Sequence, residues 1–243
     1  MNPSTKLYTF FMTAYDHFNK TLFNSELPQV ILTLQRQANT MGYFSSGRWG
    51  SKDGVELHEI AVNPQFFVQH PMIEIFQTLV HEMCHLWQHE FGTPSRRSYH
   101  NREWADKMLS VGLVPSTTGR PGGKEVGQKM NDYPENGGLF ESQCKSLVAT
   151  GVLLPYYDRH VPRTFTIPDT PEQVEVDELE DDVIDEIELV LNQPLTVDDI
   201  HIPSAQTTQS KQKYNCSGCG INLWGKPKLN VICGDCDVQL REV

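Results

Sequence analysis

The segment His81-Glu82-Met83-Cys84-His85 combines the residue types of a metal centre with a four-residue step between its two histidines. On an α-helix, residues four apart lie on one face about 6 Å from each other, so both imidazoles can reach one ion. Glu82 then lies beside the open coordination position, where a carboxylate can act as a general base. The segment therefore predicts a catalytic zinc site with His81 and His85 as ligands and Glu82 as the base. The alternative, two ordinary histidines on a half-buried helix, leaves the adjacent glutamate unexplained.

A catalytic zinc ion takes three protein ligands and leaves its fourth position to water, so a third ligand must come from elsewhere in the chain. His89 is eight residues from His81, which is about 12 Å along a helix axis and too far for a shared ion. Glu103 could serve as a glutamate ligand, and His100, at the end of a polar loop, could swing back onto the metal. We favour His100 because it lies where a chain folding back across the helix would pass, and Glu103 remains the alternative.

Two close cysteine pairs form a second candidate metal site. Cys216 and Cys219 are separated by two residues, as are Cys233 and Cys236, and 13 residues lie between the pairs. Two such turns facing each other can present four thiolates tetrahedrally to a structural zinc ion. The spacing predicts a four-cysteine zinc ribbon over residues 211–243, with paired disulfides as the alternative. The two other cysteines, Cys84 and Cys144, are predicted to be core residues.

The apolar pattern around these motifs indicates an α+β fold. Helical spacing predicts an opening helix that ends near the turn at 24–28, and three extended segments follow at 30–34, 43–49 and 57–62. Pro71 can begin a long central helix that carries the two histidines and ends at Gly92.

Shorter elements are predicted after this central helix. A second helix is expected at 102–111 and a short one at 139–149. Residues 116–138 between them are rich in glycine and proline, which is typical of a long surface loop.

The net charge of −11 is concentrated in one segment. Residues 172–199 carry 12 of the 31 acidic side chains and no Lys or Arg, which leaves 19 acidic against 20 basic side chains elsewhere. From 162 to 211 the composition is that of a linker. Apolar residues within it nevertheless keep the spacing of an acidic amphipathic helix that could dock on another surface: Val176, Leu179, Val183, Ile187 and Val190.

No stretch of the sequence approaches the roughly 20 apolar residues that a membrane helix needs, so we expect no membrane span. Polar and charged residues interrupt the apolar N-terminal run before a signal-peptide core could form. We therefore expect a cytoplasmic protein, in which cysteine pairs bind metal rather than form disulfides.

Taken together, the motifs resemble the SprT-like (Spartan) family of zinc metallopeptidases. The resemblance rests on the His81–His85 motif, the fifteen-residue step from His85 to His100, and the following Glu103-Trp104 with Met108. Upstream, Phe18-Asn19, Leu22-Phe23 and Leu27-Pro28 are similar to the opening helix and turn of that family. The resemblance covers residues 5–115 well and 116–160 loosely, and it favours His100 over Glu103.

The resemblance implies a zincin-like domain at 1–160, with a small three-stranded sheet packed on the metal helix. By composition an acidic linker at 161–210 follows this domain, although the short bacterial members of the family have no counterpart to the acidic segment. The cysteine pairs place a zinc ribbon at 211–243, so the chain would hold one catalytic and one structural Zn²⁺. Known relatives cleave proteins, notably proteins crosslinked to DNA, with nucleic acid as activator. Relatives often carry a C-terminal zinc ribbon, to which the segment from Lys213 through Cys236 is similar.

The ribbon segment and one loop carry residues that could contact nucleic acid. Residues 211–243 hold five basic and three acidic side chains, and Trp224 could stack on an unpaired base. The alternative is that Trp224 forms the core of this small module. The basic residues Arg96, Arg97 and Arg102 could contact phosphates beside the metal site, or could be an ordinary solvated loop.

We therefore expect a zinc endopeptidase that acts on DNA-associated or DNA-crosslinked proteins, with single-stranded DNA as a further partner. By analogy with other zincins, an extended substrate could pair with an exposed strand such as 57–62. One alternative is a zinc peptidase independent of nucleic acid, which the acidity of the chain favours. Another is a non-enzymatic zinc-ribbon protein that binds DNA or acts as an adaptor, which the intact Glu82 argues against.

Overall fold

The computed structural model describes residues 1–68, 70–96, 98–158, 182–193 and 211–243 of the 243-residue chain. The chain divides into two compact units, Met1–Ile202 and Pro203–Val243. The elements of the first unit are α1 (Pro3–Leu22), β1 (Ile31–Leu34), β2 (Gly42–Gly50), β3 (Glu56–Val62), α2 (Met72–Phe91), α3 (Arg102–Ser110), β4 (Leu113–Ser116), β5 (Asn131–Pro134), α4 (Leu139–Ala149) and α5 (Asp182–Asn192). Those of the second unit are β6 (Gln212–Asn215), β7 (Asn222–Gly225), β8 (Ile232–Cys233), β9 (Val238–Gln239) and β10 (Arg241–Glu242).

Helix α1 confirms the predicted opening helix, and its two ends are fixed by local hydrogen bonds. The Asn2 side chain accepts a hydrogen bond from the backbone N–H of Ser4, and Pro3 occupies the first turn, where no N–H is needed. At the other end, the buried side chain of Asn19 makes two hydrogen bonds with the backbone of Leu27. These bonds hold the turn that leads from the helix into the sheet.

The three predicted extended segments form one small mixed sheet with the strand order β1-β3-β2. Strand β1 runs parallel to β3, and β2 runs antiparallel to it. Strand β3 is therefore central, and both of its edges are hydrogen-bonded to neighbours. This corrects the expectation that residues 57–62 pair with a substrate. Among the described strands that contact α2, β2 is the one that has a neighbouring strand on one side only.

Helix α2 is the central helix of the first unit and confirms the prediction for 71–92. It contacts β2, β3, α1, α3 and α4. Its buried side chains Phe76, Leu79 and Met83 share one core with Phe18 of α1 and Ile60 of β3. Each such side chain stabilises the fold by about 1.5–3 kcal/mol when it leaves water. The packing fixes the rotation of α2 and with it the direction of the histidines on its other face.

The prediction of a single long loop at 116–138 is wrong. Residues Asn131–Pro134 form β5, which pairs antiparallel with β4 directly after α3. The pattern hid this strand because its four residues include only one typical strand former, Tyr133. The strand exists because the buried Asp132 is held by contacts with α2 rather than by local propensity.

Helices α4 and α5 complete the first unit. Helix α4 has the predicted bounds, and α5 provides a helix within the acidic segment. Helix α5 packs on α4 and α2 through Ile187 and the fully buried Leu191, and Glu188 forms an ion pair with Lys145 of α4. Val190 is exposed instead of buried. The rest of the predicted amphipathic pattern, from Val176 to Val183, and most of the linker lie outside the residues whose side chains are described.

The second unit is built around a very small core. Strands β10, β6 and β7 form a three-stranded antiparallel sheet, and β8 pairs with β9. Its buried residues are Tyr214, Cys216, Cys233 and Leu240. So small an apolar core supplies little stability without a metal or disulfide. Within the described parts of both units, every helix is too short or too polar to cross a bilayer.

Candidate metal centres

The structure brings His81, His85 and His100 together around one point. His81 and His85 come from one face of α2, and His100 directly precedes α3. The Nε2 atoms of His85 and His100 are 3.1 Å apart, and one nitrogen of each of the three rings lies within 4.8 Å of the others. Two nitrogens on a tetrahedral zinc ion, each about 2.05 Å from the metal, lie about 3.3 Å apart. The separation therefore fits shared ligation of a single ion.

His100 is held in place by pairing between two loops. Its backbone N–H donates to Gly127 O at 2.8 Å, and the Gly127 N–H donates back to His100 O at 3.1 Å. Its Nδ1 also lies 3.3 Å from the same carbonyl oxygen, to which only a protonated Nδ1 can donate. In the neutral ring the other nitrogen, Nε2, then carries a free lone pair. This Nε2 is the atom that lies beside His85.

Glu103, the alternative third ligand, lies elsewhere and has a different role. Its Oε2 accepts hydrogen bonds from the Gln88 side chain and from the backbone N–H of Thr93, both at 2.7 Å. These bonds tie the start of α3 to the end of α2. Glu103 therefore links α2, which carries His81 and His85, to α3, which begins two residues after His100.

His89 also lies apart from the three histidines, as its spacing predicted. Its ring packs 5.0 Å from that of His58, whose Nε2 lies 2.9 Å from Glu90 Oε1. The backbone N–H of Gly47 donates to His58 Nδ1 at 3.0 Å, so the His58 proton lies on Nε2 and is donated to Glu90. Hydrogen bonding alone accounts for the contact between His58 and Glu90.

Trp104 forms the floor of the three-histidine cluster. This side chain is fully buried, and its ring centroid lies 4.9, 5.2 and 4.4 Å from those of His81, His85 and His100. Packing against one rigid indole restricts the rotamers of all three imidazoles. The nitrogens are therefore positioned before any ion binds, which lowers the cost of binding.

Glu82 lies beside the cluster in a buried position. The backbone N–H of Phe44, on β2, faces its carboxylate. Burial is the largest effect on Glu82 and raises its pKa to about 7. The charge of Asp132 also raises this pKa, whereas His81 and the Phe44 N–H lower it. Close approach of strand and helix is needed here, because a Cβ on Gly42 would lie 2.8 Å from Thr78 Cγ2.

The three histidines differ in their electrostatic surroundings. Burial and the neighbouring histidines lower the pKa of His85 well below its ordinary value, and they lower that of His100 to about 4. Both rings are therefore neutral near pH 7, as metal ligation requires. Burial opposes protonation of His81 as well, but the carboxylate of Asp132 raises the pKa of this ring overall.

Asp132 is a member of the site that the sequence did not reveal. His81 Nδ1 lies 2.8 Å from Asp132 Oδ2, across 51 residues of sequence. The residue is buried, and it lies within the stretch predicted to be a surface loop. A single aspartate in a short polar strand has no spacing or periodicity that predicts such a contact, so only the tertiary structure reveals it.

The outer edge of β2, which pairs with no other strand in the described part of the chain, lies beside Glu82. Asn63 N–H donates to Met41 O at 2.7 Å, and the β2–β3 register continues from this pair through Gly42 and Phe44. Antiparallel pairs alternate between hydrogen-bonded and non-hydrogen-bonded positions. The backbone groups of Gly42 and Phe44 therefore point away from β3, and the Phe44 N–H faces Glu82.

The four cysteines of the second unit also converge. Their four Sγ atoms all lie within 4.8 Å of one another: those of Cys216, Cys219, Cys233 and Cys236. The Sγ atoms of Cys219 and Cys233 are 3.6 Å apart. Sulfurs on a tetrahedral zinc ion, each about 2.3 Å from the metal, lie about 3.8 Å apart. All six cysteines of the chain are free, and Cys84 and Cys144 are core residues as predicted. The predicted four-thiolate cluster is therefore present, compatible with a zinc ribbon.

Trp224 is not part of the core of the second unit. This corrects the alternative hypothesis that Trp224 forms the core of this module. It is 61% exposed, and Lys213 Nζ lies 5.9 Å from its ring. Side chains directly opposite each other in register share a face of a sheet. One described face of the β10-β6-β7 sheet thus carries basic, amide and aromatic side chains and no acidic one: Lys213, Asn215, Asn222, Trp224 and Arg241.

The arginines near the three-histidine cluster are engaged within the unit. Arg102 forms ion pairs with Glu125 at 2.6 Å and with Asp106 at 3.4 Å. The Arg96 guanidinium lies over the ring of Tyr99. Arg97, the third residue of the predicted basic group, lies outside the described residues.

Comparison with known proteins agrees with this description of the first unit. Residues 12–121 match the model of the SprT-like family, a range that contains the whole sheet, α2 and the three histidines. A Salmonella typhimurium protein described as an uncharacterized protein in the mucB 3′ region is 42% identical over 59 residues, which are 24% of this chain and 80% of that protein. No solved structure gives a significant match. On the family match and this relative, the chain belongs to the SprT-like family.

Proposed function

We propose that the chain is a zinc-dependent endopeptidase of the zincin type, with His81, His85 and His100 as the zinc ligands. The convergence of three imidazoles beside a buried glutamate carries this proposal. Two of the rings are neutral near pH 7, and the 3.1 Å between His85 and His100 nitrogens suits a shared ion. When bound, zinc supplies Lewis-acid activation of a water molecule and of a substrate carbonyl.

Glu82 is the general base in this proposal. Its carboxylate accepts a proton from the attacking water and returns it to the leaving amine. The pKa of about 7 in its buried position matches transfer of a proton in both directions near neutral pH. The nearby Phe44 N–H lowers the pKa of Glu82 and so favours the charged carboxylate, which is the form that accepts the proton.

The substrate is proposed to be an extended polypeptide that pairs with the free edge of β2. The outward-facing backbone at Gly42 and Phe44 lies directly beside Glu82. A strand added to this edge would pass the base with its peptide groups aligned by main-chain hydrogen bonds. Such recognition reads backbone more than side chains, so we expect weak sequence specificity.

Single-stranded DNA is the second partner that we propose, bound by the described sheet face of the second unit. Exposed Trp224 suits base stacking, and Lys213 and Arg241 on the same face suit phosphate contacts. Glu242 lies on the opposite face, where its Oε1 accepts a hydrogen bond from Tyr214 Oη at 3.0 Å. The substrates proposed are accordingly proteins associated with DNA or crosslinked to it.

The experiment compares cleavage of a DNA-crosslinked protein and of the same protein free, with and without single-stranded DNA. We expect the wild-type chain to cleave the crosslinked protein, and Glu82→Gln to bind zinc equally well but to lack cleavage. Equal behaviour of the two variants would remove the peptidase proposal. Cleavage that is indifferent to DNA and to salt would instead favour a peptidase independent of nucleic acid.

A further inference from the structure

We propose that Asp132 is a positioning residue of the three-histidine centre, whose carboxylate orients His81 and strengthens metal binding. The inference deepens the proposed function, because it rests on a zinc ion at that site. Three features of the described residues carry it: the hydrogen bond to His81, a second attachment of β5 to α2, and an unpaired buried carboxylate oxygen.

The hydrogen bond determines which nitrogen of His81 can bind metal. Asp132 Oδ2, as a carboxylate oxygen, can only accept, so His81 Nδ1 must carry the proton at the observed 2.8 Å. In the neutral ring the lone pair then lies on Nε2 alone. His100 is oriented in the same sense by the Gly127 carbonyl, at a longer 3.3 Å. Of these two contacts, only that of His81 comes from a charged group, which makes the ring a stronger electron donor.

The contact is held rigid by a reciprocal attachment between α2 and β5. Gln77, one helical turn before His81, donates from Nε2 to the backbone carbonyl of Asp132 at 2.8 Å. Helix α2 therefore holds the main chain of Asp132 while the side chain of Asp132 holds a ring of α2. The main chain of β5 at Asp132 is therefore fixed against the helix turn that carries His81, which places the carboxylate within reach of that ring.

The second carboxylate oxygen of Asp132, Oδ1, indicates that a positive charge is expected near this residue. Asp132 Oδ1 is buried and has no hydrogen-bond partner among the described residues. A buried carboxylate with an unpaired oxygen is costly unless a positive charge compensates it. A divalent ion on three neutral imidazoles carries two positive charges, which the carboxylates of Asp132 and Glu82 together balance.

Substitution by asparagine separates a role toward the metal from a role in folding. Asp132→Asn keeps the size of the side chain and an acceptor for His81 Nδ1–H but removes the charge. We expect zinc affinity at the histidine site to fall about 10- to 100-fold. The thermal midpoint of the metal-free protein should change little, because the asparagine amide oxygen can still accept the hydrogen bond from His81 Nδ1. A residue that only stabilised the fold would show the opposite pattern.

The measurement is a competition titration of the full chain with a chromophoric zinc chelator. The zinc ion bound by the four cysteines is identified with the His85→Ala variant. This variant should bind one zinc ion per chain, at the cysteine site. Glu135→Gln, an exposed carboxylate three residues along the same hairpin, is the matched control and should bind zinc like the wild type.

The possible outcomes distinguish this inference from the function on which it rests. Asp132→Asn with wild-type zinc affinity, or with a loss of metal-free stability that parallels the loss of affinity, would overturn the positioning role. A wild-type chain that bound no more zinc than His85→Ala would overturn the histidine zinc site itself.

Discussion

Replacing Gly42 with alanine should push β2 away from the metal helix. A Cβ at this position would lie 2.8 Å from Thr78 Cγ2 and 2.9 Å from Ala61 O, whereas ordinary contacts begin at 3.4 Å. The strand must therefore shift by about 0.6 Å, and overpacking of this kind costs about 1–3 kcal/mol of folding free energy. The Phe44 N–H, two residues along the strand, would move with it away from the Glu82 carboxylate.

The consequence for cleavage should exceed the consequence for stability. Misplacement of catalytic groups by about 1 Å costs about 100-fold in rate, so a shift of this size should cost about 10- to 100-fold. Zinc content should stay at the wild-type value, because the three histidines come from α2 and the loop before α3. The substitution therefore tests the positions of Glu82 and of the β2 edge without changing metal binding.

The assay measures cleavage rate, zinc content and urea unfolding of Gly42→Ala beside Gly50→Ala. Gly50 is the matched control, since it belongs to the same strand and a Cβ there meets nothing within 4 Å. Adding Thr78→Ser removes the methyl group that clashes and keeps the hydroxyl that bonds Glu74 O, so it should restore part of the rate. Equal rates for Gly42→Ala and Gly50→Ala would refute the close approach of β2 to Glu82.

Three further predictions concern other parts of the chain. Leu191→Ala should lower the free energy of unfolding of the first unit by about 2–5 kcal/mol because Leu191 of α5 is fully buried, whereas the half-exposed Leu189→Ala should change it by less than about 0.5 kcal/mol; equal values would show that α5 is not part of this core. Trp224→Ala should weaken binding of single-stranded DNA by about 5- to 150-fold, the equivalent of one stacked base, and unchanged affinity would contradict the proposed DNA face. Removal of zinc should expose the amides of β6 and β7 to hydrogen exchange because the second unit has so small a core; amides that stayed protected would contradict a structural metal.

Sequence periodicity predicted the helices well because each buries one apolar face. Helix α1 ends where expected, and α2 and α4 have close to their expected bounds; Pro71 and Gly92 mark the two ends of α2 with local chemistry. The three strands of the first sheet were also found. Their order was not, because the β1-β3-β2 arrangement depends on long-range pairing that strand patterns do not encode.

In the candidate site too, the residues within one local motif could be predicted from the sequence, and those that depend on long-range contacts could not. His81, Glu82 and His85 follow from one helical turn, whereas spacing alone left Glu103 open beside His100. The choice depends on a backbone pairing of His100 with Gly127 and on the hydrogen bonds that Glu103 makes elsewhere. Asp132 was missed because its strand is defined by its contact with α2.

The most direct test is a crystal structure of the zinc-loaded chain with anomalous data collected on both sides of the zinc absorption edge. The account predicts a zinc peak in the first unit at about 2.0–2.1 Å from one nitrogen each of His81, His85 and His100, with Glu82 beside it and not bound. A first unit without a zinc peak at these three histidines would contradict it.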